Sequence, residues 1–87
     1  MTLQSATITV DTDNTFEKVA TLASVTFTNG DSYTIQVQNT ASFKVGDAIF
    51  TVRDKIFTYK ASSEELYIKN EGLPCILTIL DSDILFV

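Results

Sequence analysis

The sequence predicts a small all-β domain: an antiparallel barrel or sandwich of seven or eight short strands, connected as sequential hairpins. Three observations favour this fold class. Short runs alternate between apolar and polar residues, residue types that favour strands are frequent, and proline occurs once. Polar turn signals separate these runs at short intervals, as in sequential antiparallel strands. With 87 residues, the chain has room for a single domain spanning residues 1–87.

The first run, residues 6–10 with the sequence ATITV, alternates apolar and polar residues and is predicted to be a half-buried strand. Residues 16–23 fit two structures. Their apolar side chains recur at helical spacing, and Asn14 with Glu17 resembles a capping box, which predicts a short helical turn near residues 15–22. The alternative is a strand, because every second residue of the same stretch also suits one face.

The dipeptide Asn29-Gly30 predicts a hairpin turn between two strands. A two-residue turn would mix core and solvent faces in the flanking strands. A three-residue loop that begins at Thr28 keeps the faces separate, since it places Val25 opposite Tyr33. It also places the glycine where a bulge needs a left-handed residue. We therefore predict the three-residue loop.

Residues 48–60, with the sequence AIFTVRDKIFTYK, are predicted to form the central hairpin of the fold. The polar turn falls at Arg53-Asp54, and Phe50 lies opposite Phe57. Both faces of this hairpin carry apolar residues, which is typical of an interior strand pair that is covered on both sides.

A third hairpin is predicted from residues 65–69 and 74–80, with Ile68 opposite Cys75. The cysteine lies in an apolar run and is expected to behave as a small buried hydrophobe. It is the only cysteine of a chain that has no histidine, so neither a disulfide within the chain nor a zinc site is expected.

The last four residues, Ile84, Leu85, Phe86 and Val87, are all apolar. Such a segment is expected either to complete the core or to form an interface with another chain, because soluble monomers avoid exposed apolar patches of this kind. We assign these residues to an interface between copies, which predicts a dimer or trimer.

The formal net charge is −5 and the isoelectric point about 4.3. An acidic surface opposes nucleic-acid binding, which depends largely on Lys and Arg. Charge is unevenly spread, with a net +2 between residues 43 and 60 and −7 elsewhere. No secretion signal and no apolar run of about 20 residues is present. The sequence therefore predicts a cytoplasmic or virion location and no membrane partner.

The acidic residues near the N-terminus are candidate metal ligands. Asp11, Asp13, Thr15 and Glu17 alternate as oxygen ligands do in calcium loops, but the glycine and the final acidic residue of an EF-hand loop are missing. An ordinary acidic turn is the interpretation that we adopt, and the same holds for the later Asp-Ser-Asp stretch. No nucleophile has a recognisable base beside it. We predict no catalytic, cofactor-binding or metal-binding residues, no cofactor and no enzymatic activity.

The function predicted from these observations is a non-enzymatic structural or assembly domain that contacts other proteins. By analogy, an acidic, threonine-rich β-domain without His, Trp or catalytic motifs is similar to an accessory virion protein of a bacteriophage, such as a capsid decoration, head fibre or tail component. The alternative is a small binding module or inhibitor that recognises a peptide, a sugar or a protein.

Overall fold

A computed structural model describes residues 5–12 and 15–81 of the chain. They form one antiparallel sheet of six strands and a single short helix. In chain order the elements are β1 (Ser5–Val10), β2 (Glu17–Lys18), α1 (Val19–Ala23), β3 (Ser32–Val45), β4 (Ala48–Lys60), β5 (Leu66–Asn70) and β6 (Cys75–Asp81).

The long strand β3 is the centre of the sheet. The strand order is β1-β6-β3-β5-β2. β5 and β6 pair with one edge of β3, and β4 pairs with the opposite edge of β3. β6 pairs with the first half of β3, residues 33–38, and β5 pairs with the second half, residues 41–45. The sheet therefore has two halves that share β3 and β4, and it curls into a half-barrel.

A bend separates the two halves. The pairing of β3 with β4 shifts register between Val37 and Thr40, where two residues of β3 lie opposite Asp54. Asn39 and Asp54 both have left-handed backbones, with φ angles of 73° and 49°. The Asn39 backbone N–H donates to Asp54 Oδ1 at 2.8 Å. Asn and Asp tolerate this conformation better than most residues, and a bulge increases local bending.

The core lies inside the curl, because the strands alternate buried and exposed side chains. Burial alternates residue by residue along β5 and β6. The helix α1 buries Val19 and Ala23 against the same core. The largest fully buried side chains on the inner face are Tyr33, Ile35, Phe43, Leu66, Ile68, Leu77 and Ile79.

The predicted all-β fold class is confirmed, but two details of its connectivity were wrong. Residues 5–12 and 15–81 form six strands rather than seven or eight. Among the described residues, β3 and β4 are the one pair of paired strands that are consecutive in the chain, so the fold is not a series of sequential hairpins. The physical reason is the length of β3: its 14 residues offer one partner site to β6 and a second to β5.

The predicted central hairpin was also wrong. Residues 48–60 form one strand at an edge of the sheet, not an interior pair. The predicted grouping of Phe50 with Phe57 is nevertheless present, with ring centroids 5.6 Å apart. The bend at Asp54 brings the two rings together along a single strand. A change of strand direction at two polar residues was thus mistaken for a chain reversal.

The predicted hairpin around Asn29-Gly30 is absent, and α1 takes up part of the stretch that was assigned to its first strand. The short helical turn predicted near residues 15–22 is confirmed by α1. Asp31 N–H donates to the Thr28 carbonyl at 3.0 Å, so Asn29 and Gly30 are the centre of a β-turn outside the strands. Gly30 has a φ of 93°, a backbone conformation that glycine adopts more readily than other residues.

The predicted third hairpin does not form either. β5 and β6 pair with β3 instead of with each other: Ile68 lies opposite Phe43, and Cys75 lies opposite Val10 of β1. Cys75 is fully buried, as predicted, and this burial raises the pKa of its thiol. Long-range pairing thus replaced the local pairing that the loop at residues 71–74 suggested.

Candidate interaction surface

The feature that stands out on the surface is the outer edge of β4. Among the described residues, β4 pairs with β3 alone. Ile49 and Ile56 are 60% and 65% exposed, and Phe50 is 37% exposed. An open edge offers unpaired backbone N–H and C=O groups, and apolar side chains beside it favour pairing with another strand. This β4 edge is the candidate interaction surface.

Phe50 connects the β4 edge to the core. Its ring stacks on Phe43 with a centroid distance of 5.7 Å, and Phe43 contacts Phe57 edge-to-face at 5.0 Å. One side of Phe50 is therefore fixed by core aromatics while the other faces solvent. A strand that adds to this edge would find a preformed aromatic surface.

The bend divides the β4 edge into two parts with different charge. Residues 48–52 carry no charge, whereas residues 53–60 carry three cations and Asp54. Arg53 Nε lies 3.8 Å from Asp54 Oδ2, and both side chains are mostly exposed, so this ion pair contributes little. Charges and bulges protect edges against pairing. Residues 48–52, which carry no charge, therefore remain available for pairing with another strand.

The outer face of the first half of the sheet is almost free of charge. We call this half, formed by β1, β6 and residues 32–37 and 55–60 of β3 and β4, the threonine half. Thr7 Oγ1 lies 3.3 Å from Thr78 Oγ1 across the β1–β6 pair. The register places these outward residues in cross-strand rows: Thr7, Thr9, Thr34, Gln36, Ile56, Thr58, Ile76, Thr78 and Leu80.

The outer face of the other half carries lysines and aromatic rings. We call this half, formed by β2, β5 and residues 41–45 and 48–53 of β3 and β4, the lysine half. Lys44 Nζ lies 6.0 Å from the ring centre of Tyr67. Lys69 Nζ lies 5.0 Å from that of Phe16. These distances are those of cation–π contacts.

A hydroxyl network crosses the lysine half. The Ser42 hydroxyl donates to Glu71 Oε1 at 2.7 Å and lies 2.8 Å from Thr51 Oγ1. Lys69 Nζ is 3.5 Å from the same Glu71 oxygen. The Ser42 hydrogen bond, with the charge of Lys69 as a smaller contribution, holds the pKa of Glu71 below its ordinary value. The network connects β4, β3 and β5.

Asn70 at the end of β5 is 1% exposed and has all its polar atoms paired. Its Oδ1 accepts the backbone N–H of Thr12 at 2.8 Å and the Thr12 hydroxyl at 3.3 Å. Its Nδ2 donates to the carbonyls of Gly72 and Leu73 at 3.3 and 3.2 Å. One buried amide thereby joins the loop after β1 to the loop before β6.

A cleft of about 280 Å³ lies between α1, the 25–29 segment and the start of β5. Lys18 and Glu65 form an ion pair of 2.8 Å at its edge, and the Glu65 hydrogen bond raises the pKa of Lys18. Tyr59 donates its hydroxyl to the Glu64 carbonyl at 3.1 Å, and burial raises the pKa of this phenol. The two charges at the cleft are thus already paired with each other.

The structure does not bring the sequence-predicted residues into one site. The predicted interface residues Ile84, Leu85, Phe86 and Val87 lie outside the described residues. Of the acidic residues that resembled a calcium loop, Asp11 and Glu17 are exposed, and Asp13 lies outside the described residues. Within residues 5–12 and 15–81, no three Cys, Asp or Glu side chains converge on a metal position. The short helix of this region cannot cross a membrane.

Sequence reasoning missed the residues that define the β4 edge. It placed Ile49, Phe50 and Ile56 in a covered interior pair. A signal against that placement was available: Arg53-Asp54 lacks the Gly or Asn that a two-residue hairpin turn requires. Asn70 was also missed, because a turn asparagine and a buried asparagine look alike in a sequence.

Comparisons with protein-family models, with curated proteins and with solved structures give no match to this chain. The surface is therefore interpreted from its own geometry and charge.

Proposed function

We propose that this protein is a non-enzymatic assembly domain that contacts another protein chain through the β4 edge. The observation that carries the proposal is that β4, a strand of 13 residues, pairs with β3 alone within the described part of the chain and exposes two isoleucines by more than half. Backbone groups along an edge supply affinity when a strand adds to it, and exposed side chains supply selectivity. The outer face of the threonine half, which is almost free of charge, extends the surface that a partner can cover.

Photo-crosslinking tests this proposal. A photoreactive amino acid at position 49 is expected to form a defined adduct with a protein chain in cells that make the domain. The same group at position 21, exposed on α1, which packs against β1, β2 and β5, is the matched control and is expected to give no defined adduct. Equal yields at the two positions, or none at either, would contradict the proposal.

In its narrower form, the proposal makes this domain an accessory virion component of a bacteriophage. The support is compositional: an acidic, threonine-rich chain with an all-β fold. The genes beside its own are the direct test. Capsid and tail genes there would support the narrower form, and an enzyme or toxin gene standing alone would oppose it.

A second candidate function, a small binding module, is favoured by the cleft between α1 and β5. Its volume of about 280 Å³ is near the lower end for ligand pockets. A peptide or sugar bound there would have to replace or use the Lys18–Glu65 ion pair. Chemical-shift changes confined to the cleft on addition of small fragments, lost in Lys18→Met, would support this function over assembly.

A further inference from the structure

The uncharged part of the β4 edge, residues 48–52 with the sequence AIFTV, lacks the devices that keep edges apart. It contains no Lys, no Pro and no bulge, and its residue types favour strands. Both Ile49 and Phe50 are exposed there. A segment of this kind pairs readily with an extended strand of another chain.

Backbone geometry fixes which groups are available. The Val45–Ala48 pair closes the two-residue turn between β3 and β4. Ladder hydrogen bonds alternate along an antiparallel pair. Counting from that pair, Ile49, Thr51 and Arg53 direct their N–H and C=O groups away from β3, toward the open side. An added strand must hydrogen-bond to these three residues.

We propose that the strand is β4 of a second copy of this chain, paired antiparallel about a two-fold axis at Phe50. This inference rests on the proposed assembly function and names its partner. In this register Ile49 of each copy lies opposite Thr51 of the other. The backbone N–H and C=O groups that each strand directs away from its own β3 therefore face each other and can form hydrogen bonds. The two-fold relation makes every contact occur twice.

Charge selects this register over its neighbours. An axis at Phe50 places Asp47 opposite Arg53 of the second copy, twice per dimer. An axis at Ile49 places Val45 opposite Arg53 and forms no ion pair. An axis at Thr51 buries Arg53 against Ile49 and leaves Asp47 to reach Lys55, which lies beyond the bend. The Arg53 side chain is 78% exposed and only weakly engaged by Asp54, so it is available.

The same register extends the core. The Phe50 of one copy lies opposite the Phe50 of the other, and each ring already packs on Phe43 and Phe57. The dimer therefore joins two clusters of three phenylalanines and covers the exposed side of Phe50. The remainder of β4, from residue 54 onward, stays outside because the bend at Asp54 and the lysines beyond it oppose a continued ladder.

Light scattering and sedimentation equilibrium on the purified full chain test the proposal. The interface is small, so we expect a dimer that forms at concentrations of about 10–100 µM. Arg53→Asp, or Asp47→Arg, places like charges opposite each other twice. Each change is expected to raise the dimer dissociation constant by about tenfold or more.

Mixing the two variants is the decisive measurement, since it does not depend on comparing their stabilities. One variant has two basic positions and the other two acidic positions, so a heterodimer restores both ion pairs. Each variant alone is expected to be monomeric, and an equal mixture is expected to dimerise within about threefold of the unmodified chain. The chain that carries both changes is expected to dimerise as well, because the pairs are exchanged.

Control variants distinguish self-pairing of β4 from the broader proposal that the β4 edge contacts some other protein chain. Ile56→Lys changes an equally exposed isoleucine beyond the bend and is expected to leave the dimer intact. A mixture that stays monomeric overturns the Phe50 register. Loss of the dimer on changing Leu85 and Phe86 to Ser, with no response to the charge variants, places the contact elsewhere and also overturns it. A monomer whose position 49 crosslinks to a different protein refutes self-pairing but keeps the assembly function.

Discussion

The threonine half and the lysine half share the same two long strands, yet they are built differently on the outside. The inner faces match: Ile35 and Ile79 are fully buried in the first half, and Phe43 and Ile68 in the second. The outer face of the threonine half has cross-strand rows of hydroxyl and amide groups. That of the lysine half has cations over aromatic rings and a hydroxyl–carboxylate network.

The two outer faces of the sheet therefore differ in how readily another molecule can cover them. A face that carries few charges can be covered by another molecule at little cost, since few ions lose water. The charges on the outer face of the lysine half oppose coverage of that face, while its uncharged edge, residues 48–52, remains open to strand pairing. The bend where Asn39 meets Asp54 separates the two surfaces while leaving the core continuous.

The largest expected effect tests whether both halves belong to one core. Ile79→Ala and Ile68→Ala each remove a fully buried side chain, one from each half. Each is expected to lower the free energy of unfolding by about 2–5 kcal/mol in urea titrations. Ile56→Ala, on the exposed β4 edge, is the control and should change it by about 0.5 kcal/mol or less. A cost below about 1 kcal/mol for Ile68→Ala would mean that the lysine half is a weakly attached flap.

The next effect concerns the buried amide that joins the ends of the two halves. Asn70→Ala leaves the backbone N–H of Thr12 and the carbonyl of Leu73 without their partner. We expect a loss of about 1–3 kcal/mol in the free energy of unfolding. Asn29→Ala, at an exposed turn, should cost far less. Equal losses for the two asparagines would refute the role assigned to Asn70.

A smaller effect is expected from the hydroxyl network, and it depends on pH. The pKa of Glu71 is lowered in the folded state, so its contribution to stability is present above its unfolded pKa, about 4.3, and is lost as pH falls through the folded value. Ser42→Ala should raise the pKa of Glu71, measured by NMR titration. The stability difference between the two proteins should narrow as pH falls below about 4.3. An unchanged Glu71 pKa in this variant would assign the shift to Lys69 instead.

The smallest effect separates the two outer faces by salt. The Lys18–Glu65 pair is about half exposed, the Lys69–Glu71 pair is partly exposed, and both lie in the lysine half. At 1 M salt the screening length is about 3 Å, so these pairs should weaken. Amide exchange in β2 and β5 should rise slightly, while β1 and β6 should not respond. A uniform response across the sheet would remove the electrostatic distinction between the halves.

Much of the secondary structure could be predicted from local sequence patterns. The strand character of β1, of residues 48–60 and of β6, the helical turn near residues 15–22 and the burial of Cys75 all follow from alternation, spacing and residue type. These properties are fixed within a few residues of each position. The grouping of Phe50 with Phe57 was predicted from a hairpin that does not form. Residues seven apart in an unbroken strand would face opposite sides, and the bend at Asp54 brings these two rings together.

The candidate surface could not be derived in the same way. An apolar pattern shows that a residue suits a covered face, but it does not show whether the chain itself supplies the cover. Ile49 and Ile56 fit an interior strand as well as an edge that another chain covers. Asn70 likewise fits an exposed turn or a buried joint, since its partners are remote in sequence.

The sequence by itself determined the fold class, the approximate strands and the acidic, histidine-free chemistry of this protein. Tertiary structure decided the pairing: β3 takes β6 along one half and β5 along the other, so the expected hairpins do not form. It also decided that residues 48–60 bend at Asp54 and lie at an edge. The physical reason is that alternation assigns a face to each residue but not a neighbour to each strand, since several pairings bury the same side chains and the whole core selects among them.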